Sequence, residues 1–150
     1  CKWIEDYVNE GDVFYDIGCC AGGYSFVAEL NGALVYAFDP EENLILKNIQ
    51  INKSSIMFFP VALNNNRNKL DSFLILFKPD HIKIDVDGEE LEVIKGGLEY
   101  IKNAKSLMLE ISENKEEILE ILNPFMVLKE VYKRDKKDVS NYLFLKKQFM

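Results

Sequence analysis

The fold is decided by residues 13–25, which have the sequence VFYDIGCCAGGYS. Val13 to Ile17 is a β-branched and aromatic run with an acid near its end, and this composition predicts a short strand. Residues 18–23 are small and rich in glycine, which predicts a tight loop, and the apolar spacing beyond it predicts a helix over 23–31. A strand, a glycine-bearing loop and a helix open the nucleotide-binding α/β domains, where amides at the helix start face the ligand.

The glycine spacing in this loop favours one class of nucleotide over another. A dinucleotide-binding loop follows G-x-G-x-x-G, and its second glycine admits the pyrophosphate. Gly18 and Gly23 match the first and third glycines, whereas Cys20 stands at the second. We therefore expect a nucleoside without a diphosphate bridge, such as S-adenosylmethionine. A glycine-rich turn that binds no ligand is the alternative.

Strands and helices alternate along the rest of the chain. Apolar runs predict strands over 34–38, 56–59, 81–86 and 106–111, and helical spacing predicts helices within 1–12 and over 41–52, 91–101 and 114–122. The end of the chain predicts an antiparallel hairpin over 125–132 and 142–145, and residues 70–77 fit either a helix or a strand. This order predicts a single α/β domain over residues 1–150, with a mostly parallel sheet covered by helices on both faces.

Composition limits the partners and the location of the protein. The net charge of −7 argues against nonspecific binding to nucleic acid, and the basic cluster within 129–137 is expected to be a solvated hairpin tip. There is no apolar run of the roughly 20 residues that span a bilayer, so no membrane partner is expected. The three cysteines form no metal-binding or disulfide pattern, which fits a reduced, cytoplasmic setting.

Acidic side chains follow two of the predicted strands. Asp39 ends the second strand, where a carboxylate can accept two hydrogen bonds from a ribose diol. It could also cap the following helix, with Pro40 in the first turn. Asp85 and Asp87 end the fourth strand, and Glu90 lies in the first turn of the next helix. Ligands of open α/β sheets bind beyond such strand ends, so these acids lie at the predicted site.

Asp85, Asp87 and Glu90 have two possible uses. One of them could act as a base toward an acceptor hydroxyl, or could orient that hydroxyl. The three could instead hold a hard divalent ion such as Mg²⁺. Acids at helix starts are commonly caps, so the metal-free interpretation is preferred and no metal is predicted.

The fourth strand also carries Lys83 and His81. A lysine in a buried strand needs a partner, and Asp85 or Glu110 on the next strand are the candidates. The lysine either forms a structural ion pair or acts directly in the site. His81 is the only histidine and lies four residues before Asp85, roughly 13 Å along a strand. We expect it at the surface or at an interface, away from the site.

Several segments together resemble a known family. They are Val13–Gly18, Tyr36–Pro40 with Asn43, Val61–Leu63, Ile82–Glu90, Ile94–Gly96 and Leu109–Ile111. With these segments the chain resembles the FkbM-type methyltransferases, which have the class I S-adenosylmethionine-dependent methyltransferase fold. The sequence IKIDVDGEE at 82–90 is the most specific of them. The family more often has Glu at the position of Asp87 and Asn at that of Cys20.

The resemblance implies a Rossmann-like sheet of seven strands, and methyl transfer from S-adenosylmethionine to a hydroxyl of a sugar or small metabolite. It places the methionine part of the cofactor on the first loop, the ribose on Asp39 and the adenine near 61–63. The implied cofactor-binding residues are Asp16, Gly18, Cys19, Cys20, Ala21, Gly22, Tyr24, Ser25, Asp39, Pro40, Asn43, Ala62, Leu63 and Asp85. The candidate catalytic residues are Asp85, which would face the reacting centre, with Asp87, Glu90 and Lys83.

Two other functions compete with methyl transfer. A nicotinamide-dependent oxidoreductase is disfavoured by Cys20 and by the terminal hairpin. A non-catalytic Rossmann-like binding protein would keep the fold without the chemistry. The presence of Asp16, Gly18 and Asp39 disfavours that interpretation. We therefore predict a small-molecule or carbohydrate acceptor and no nucleic acid partner.

Overall fold

The computed structural model describes residues 1–73, 76–133 and 139–149. The helices are α1 (Lys2–Tyr7), α2 (Gly23–Leu30), α3 (Asn43–Asn52), α4 (Glu90–Gly96), α5 (Leu98–Asn103) and α6 (Lys115–Leu122). The strands are β1 (Val13–Ile17), β2 (Leu34–Phe38), β3 (Met57–Phe59), β4 (His81–Ile84), β5 (Ser106–Ile111), β6 (Met126–Lys133) and β7 (Ser140–Lys146).

The strands form one sheet of seven in the order β3-β2-β1-β4-β5-β7-β6. The pairs from β3 through β5 are parallel, and β7 pairs antiparallel with both β5 and β6. The predicted α/β architecture with a C-terminal antiparallel hairpin is therefore confirmed. The order reverses at β1 and β4, and ligands of open α/β sheets bind beyond the carboxyl ends at such a switch point.

Alternate residues of each strand enter different hydrophobic clusters, because successive strand side chains point to opposite faces. Tyr15 of β1 packs in a cluster with residues of α4, α5 and α6, whereas its neighbour Phe14 packs with residues of α1, α2 and α3. Ile82 and Ile84 of β4 lie in the first cluster. The sheet is thus covered on both faces, and Lys83 is directed toward the face that carries α2.

The predicted helix over 91–101 is two helices, which meet at Gly97. Gly96 packs directly on the loop after β3, since a Cβ there would lie 2.3 Å from the carbonyl oxygen of Asn64. A Cβ on Gly97 would lie 2.8 Å from the side chain of Leu70. Sequence periodicity predicts the apolar stripe correctly but cannot show this contact, which needs glycine for close approach.

The ambiguous segment 70–77 contains a single 3₁₀ turn at Leu70–Ser72, with Leu70 fully buried. Residues 74–75 lie outside the described residues, as do 134–138, which include part of the predicted basic hairpin tip. Across the described ranges, every helix is too short or too polar to cross a membrane.

His81 is not a surface residue, and that expectation was wrong. Its side chain is buried at the amino end of β4, with Nδ1 2.7 Å from Ser106 Oγ and Nε2 3.0 Å from Asp12 Oδ2. The indole N–H of Trp3 also donates to Ser106 Oγ, at 2.9 Å. Because carboxylates only accept, His81 carries its proton on Nε2 and accepts from the serine hydroxyl at Nδ1. The network fixes α1 to the sheet, at the edge opposite the carboxyl strand ends.

Stability is expected to fall as the pH is lowered from 7 to 5. Burial lowers the pKa of His81, although Asp12 partly opposes this. The unfolded chain therefore takes up a proton below the ordinary histidine pKa near 6.5, before the folded protein does. The stability contribution of neutral His81 is present above that pH and is lost below it. Denaturant unfolding across this range checks the effect.

The control for this measurement is His81→Asn, in which the dependence should be much weaker. Asp12 does not titrate between pH 5 and 7. Desolvation alone would raise its pKa, but the hydrogen bonds that it accepts, from Lys105 above all, lower it to about 2. An equal pH dependence in the wild type and in His81→Asn would contradict the assignment.

Candidate active site

Two adjoining cavities lie beyond the carboxyl ends of β1, β2, β4 and β5. The larger, of about 840 Å³, is lined by residues that include Cys20, Asn43 and Glu110. The smaller, of about 520 Å³, is lined by Gly18, Pro40 and the segment after β3, among others. Four acids line both cavities: Asp39, Glu41, Asp85 and Asp87. The sequence-predicted acids at the ends of β2 and β4 are therefore brought together, except for Glu90.

Gly18 is required by a contact between two loops. Its φ is +76°, and a Cβ on it would lie 1.8 Å from the carbonyl oxygen of Asp85. The loop after β1 thus packs directly on the loop after β4. The sequence predicts a tight loop of small residues here, and the structure shows that the group packed against Gly18 is the Asp85 peptide.

The rest of the first loop is held by local contacts. The Ala21 carbonyl accepts a hydrogen bond from Asn48 of α3 at 2.9 Å. Gly22 precedes α2 with φ +90°, and a Cβ there would lie 2.4 Å from Ile45. Cys19 is buried and burial raises the pKa of its thiol, whereas Cys20 is exposed and adopts φ +51°. Cys20 therefore faces the larger cavity while Cys19 packs in the core.

Asp16 is fully buried and does not line either cavity within the described residues. Its Oδ2 accepts hydrogen bonds from the Ser25 amide at 3.1 Å and the Ser25 hydroxyl at 2.6 Å. The carboxylate thereby satisfies an amide at the start of α2 and fixes this helix relative to β1. Asp16 and Ser25 therefore support the loop after β1 from within the core.

Lys83 contacts Asp16 on the neighbouring strand β1. The two residues are paired in register, and Nζ lies 3.1 Å from Asp16 Oδ1. Of the two partners considered from sequence, Asp85 is found, with its Oδ2 3.9 Å from Nζ. Burial lowers the pKa of Lys83, but the two carboxylates more than offset this, so its pKa is raised and the ammonium stays charged.

Asp39 ties the first loop to the loop after β2. Its Oδ2 accepts a hydrogen bond from the Cys20 amide, and its Oδ1 accepts one from the Glu41 amide, both at 2.9 Å. The second bond forms a local turn and is not a helix cap, because α3 begins at Asn43. The half-buried carboxylate keeps acceptor capacity toward both cavities.

The smaller cavity has an apolar wall that suits a purine ring. Phe38, Val61, Leu63 and Val86 contribute to it, beside Ala62. Asp39 lies at the edge of this wall. An apolar wall beside a carboxylate has the chemistry to hold a nucleoside, whose base packs on apolar groups and whose ribose hydroxyls donate to an acid.

The acids around β4 differ in their surroundings. Asp85 is half-buried, and Asp87 is exposed with φ +54°. Glu90 is buried, and its Oε1 accepts hydrogen bonds from the amides of Val86 at 3.3 Å and Gly88 at 3.2 Å. Glu90 therefore holds the loop after β4 in shape, while Asp85 and Asp87 face the cavities.

Glu110 is a site residue that sequence reasoning missed as such. It lies near the end of β5, and one oxygen each from Asp85, Asp87 and Glu110 fall within 4.8 Å of one another. Carboxylate oxygens in such a group are the donors that a hard divalent cation takes. The alternative metal set considered from sequence contained Glu90, which is turned away to the loop amides. The signal that could have found Glu110 is its place near the end of β5, the strand that neighbours β4.

The comparisons with known proteins agree with this architecture. A family model described as the methyltransferase FkbM domain matches residues 67–134. A comparison with curated proteins finds no match.

Solved structures share the fold over 97% of this chain. One is a candidate rRNA methylase from Clostridium thermocellum, with 12% identity, 92% of its own chain covered and a TM-score of 0.73. A candidate methyltransferase from Streptococcus mutans, in complex with SAH, has 10% identity, 94% coverage and a TM-score of 0.73. A candidate tRNA methyltransferase from Streptococcus pneumoniae, in complex with S-adenosyl-L-methionine, has 16% identity, 71% coverage and a TM-score of 0.66.

These solved structures establish the fold, and the FkbM model matches the segment that contains β4 and β5. Both findings agree with the resemblance drawn from the sequence. The chain therefore shares the fold of these methyltransferase structures, and its segment 67–134 is similar to the FkbM methyltransferase domain.

Proposed function

We propose that the protein methylates a hydroxyl group of a sugar or small metabolite. The observation that carries this proposal is the meeting of Asp39, Asp85 and Asp87 at two adjoining cavities, one of a size for a nucleoside and one open for an acceptor. The acidic composition, with a net charge of −7, supports a small acceptor in preference to RNA. Three free cysteines support a cytoplasmic location.

The residues present fit S-adenosylmethionine. The apolar wall at Val61 and Leu63 would hold the adenine, and Asp39 would accept hydrogen bonds from the ribose hydroxyls. The loop from Gly18 to Tyr24 would hold the methionine part. When bound, this cofactor supplies an electrophilic methyl group on a positively charged sulfur.

Asp85 and Asp87 are the carboxylates that can serve an acceptor hydroxyl. Either carboxylate can accept a hydrogen bond from the acceptor hydroxyl and fix its direction. It can also take the hydroxyl proton at a carboxylate oxygen while the hydroxyl oxygen becomes methylated. Glu90 is assigned to holding the loop, since the Val86 and Gly88 amides occupy its Oε1. Methyl transfer in this site therefore depends mainly on the orientation of the acceptor hydroxyl beside the half-buried Asp85 and the exposed Asp87.

Asp39→Ala is expected to weaken S-adenosylmethionine binding by about 10- to 100-fold, because a hydrogen bond to a charged group contributes about 1.5–3 kcal/mol. Calorimetric titration measures this. Glu42→Ala is the matched control, since Glu42 is an exposed acid nearby whose side chain makes no cap hydrogen bond. Unchanged binding in Asp39→Ala would contradict the ribose assignment.

A binding measurement with NADH and a methyl-transfer assay separate the competing functions. Binding of NADH by the wild type, without S-adenosylmethionine, would favour an oxidoreductase. Binding of S-adenosylmethionine followed by label transfer from its methyl group to polyhydroxylated small molecules would support the proposal. Transfer to tRNA or rRNA and to no small molecule would overturn the acceptor class while leaving methyl transfer intact.

A further inference from the structure

The ammonium of Lys83 lies between the cofactor loop and the acid that faces both cavities. Nζ donates to Asp16 Oδ1 at 3.1 Å and to the carbonyl oxygen of Gly18 at 3.0 Å. It lies 3.9 Å from Asp85 Oδ2 and 5.0 Å from the ring centroid of Tyr24. One buried cation thus touches β1, the first loop, α2 and the end of its own strand.

These contacts exceed what a structural counter-ion needs. Asp16 is fully buried and accepts hydrogen bonds from Ser25. The need to pair its buried charge explains why a cation lies beside it, but explains only that contact of Lys83. The contacts with Gly18 and Asp85 lie beyond the carboxyl ends of β1 and β4, where the loops after these two strands pack on each other. Both loops reach the smaller cavity, to which Gly18 and Asp85 contribute.

We propose that Lys83 is a positioning residue for S-adenosylmethionine binding, which acts by holding the Gly18 carbonyl and the Asp85 carboxylate in their places at the cavity. It does not touch the cofactor and transfers no proton. Without the ammonium, the Asp85 carboxylate loses its neighbouring cation and the first loop loses a bond at its first residue. This inference rests on the proposed binding of S-adenosylmethionine at this site.

The test compares the wild type with a double variant, the neutral pair, in which Lys83 and Asp16 are both replaced by uncharged side chains. Lys83→Met leaves Asp16 buried without a cation, so it is combined with Asp16→Asn to remove both charges. The double variant should unfold within ~5 °C of the wild type, because a buried ion pair replaced by neutral residues of similar volume often keeps stability. S-Adenosylmethionine should nevertheless bind at least about tenfold more weakly in calorimetry. Binding within about twofold of the wild type would show a purely structural lysine and overturn the proposal.

Lys105→Met is the matched control at the opposite edge of the sheet. Lys105 pairs with Asp12 at 2.7 Å and Asp80 at 3.0 Å. Its loss should lower the unfolding midpoint and leave S-adenosylmethionine affinity unchanged. If its loss weakens binding as much as the neutral pair does, the effect is a general loss of stability and the proposal fails.

Asp85→Asn keeps the test decisive if the methionine variants do not fold. The change is at a half-buried residue after the strand, and Lys83 keeps its bonds to Asp16 and Gly18. Weaker binding is expected if the carboxylate that Lys83 holds in place contributes to the site, and wild-type affinity overturns the proposal. If the wild type itself does not bind S-adenosylmethionine, it is the proposed function that fails.

Discussion

Replacing Gly18 by alanine is expected to abolish measurable S-adenosylmethionine binding and to bring the protein close to unfolding. The backbone at this position has φ +76°, which costs an alanine about 1–2 kcal/mol. The added Cβ would also lie 1.8 Å from the Asp85 carbonyl oxygen. Relieving such an overlap costs about 1–3 kcal/mol and separates the two loops that border the cavities. The sum is about 2–5 kcal/mol, and its upper end equals the lower end of the roughly 5–15 kcal/mol by which native proteins are stable.

Gly23→Ala is the matched control for the effect of Gly18→Ala on stability. Gly23 lies in the same loop motif, opens α2, and has no atom within 4 Å of an added Cβ. Alanine there should be neutral or slightly stabilising, because alanine is the better helix former. Thermal unfolding and calorimetry on both variants provide the measurement. Equal behaviour of the two variants would show that the loop–loop contact does not matter.

Replacing Gly96 by alanine is expected to lower stability by about 1–3 kcal/mol and to weaken S-adenosylmethionine binding by about tenfold. Glycine at an ordinary helix position is normally improved by alanine, by about 1 kcal/mol. The opposite sign is expected here because the new Cβ would lie 2.3 Å from the Asn64 carbonyl oxygen. Asn64 and the preceding residues line the smaller cavity, so a displaced loop would move the apolar wall of that cavity.

Lys95→Ala isolates this effect on the same helix. Lys95 precedes Gly96, is exposed, and pairs at the surface with Glu117 at 2.8 Å. Exposed pairs contribute only about 0–1 kcal/mol, and this one joins α4 to α6, not to the loop after β3. Stability and cofactor affinity should be almost unchanged. A stabilised Gly96→Ala protein with normal affinity would show that the loop adapts, contrary to the prediction.

Much of the fold follows from local sequence. The run from Val13 to Ile17 has the composition of a buried strand, and its prediction matches β1 residue for residue. The prediction for Leu34–Phe38 also matches β2. The period of two places Ile82 and Ile84 on one face of β4 and Lys83 on the other. These features depend on neighbours in the chain, and periodicity reports them directly.

The candidate site was predictable where it lies at strand ends. Asp39 and Asp85 follow their strands, and the carboxyl ends of parallel strands meet at one edge of the sheet. Glu90 shows the limit of that reasoning, because its place in the first helical turn is right but its side chain turns back to the Val86 and Gly88 amides. The direction of a side chain depends on which backbone groups need a partner.

The sequence by itself determined that residues 13–25 form a strand, loop and helix, and that acids end β2 and β4. Only the tertiary structure decided which groups meet. The order of strands places β1 beside β4, so Lys83 pairs with Asp16, and it places β5 beside β4, so Glu110 joins Asp85. Strand order and register are set by packing between segments distant in the chain, and local patterns carry no information on those distances.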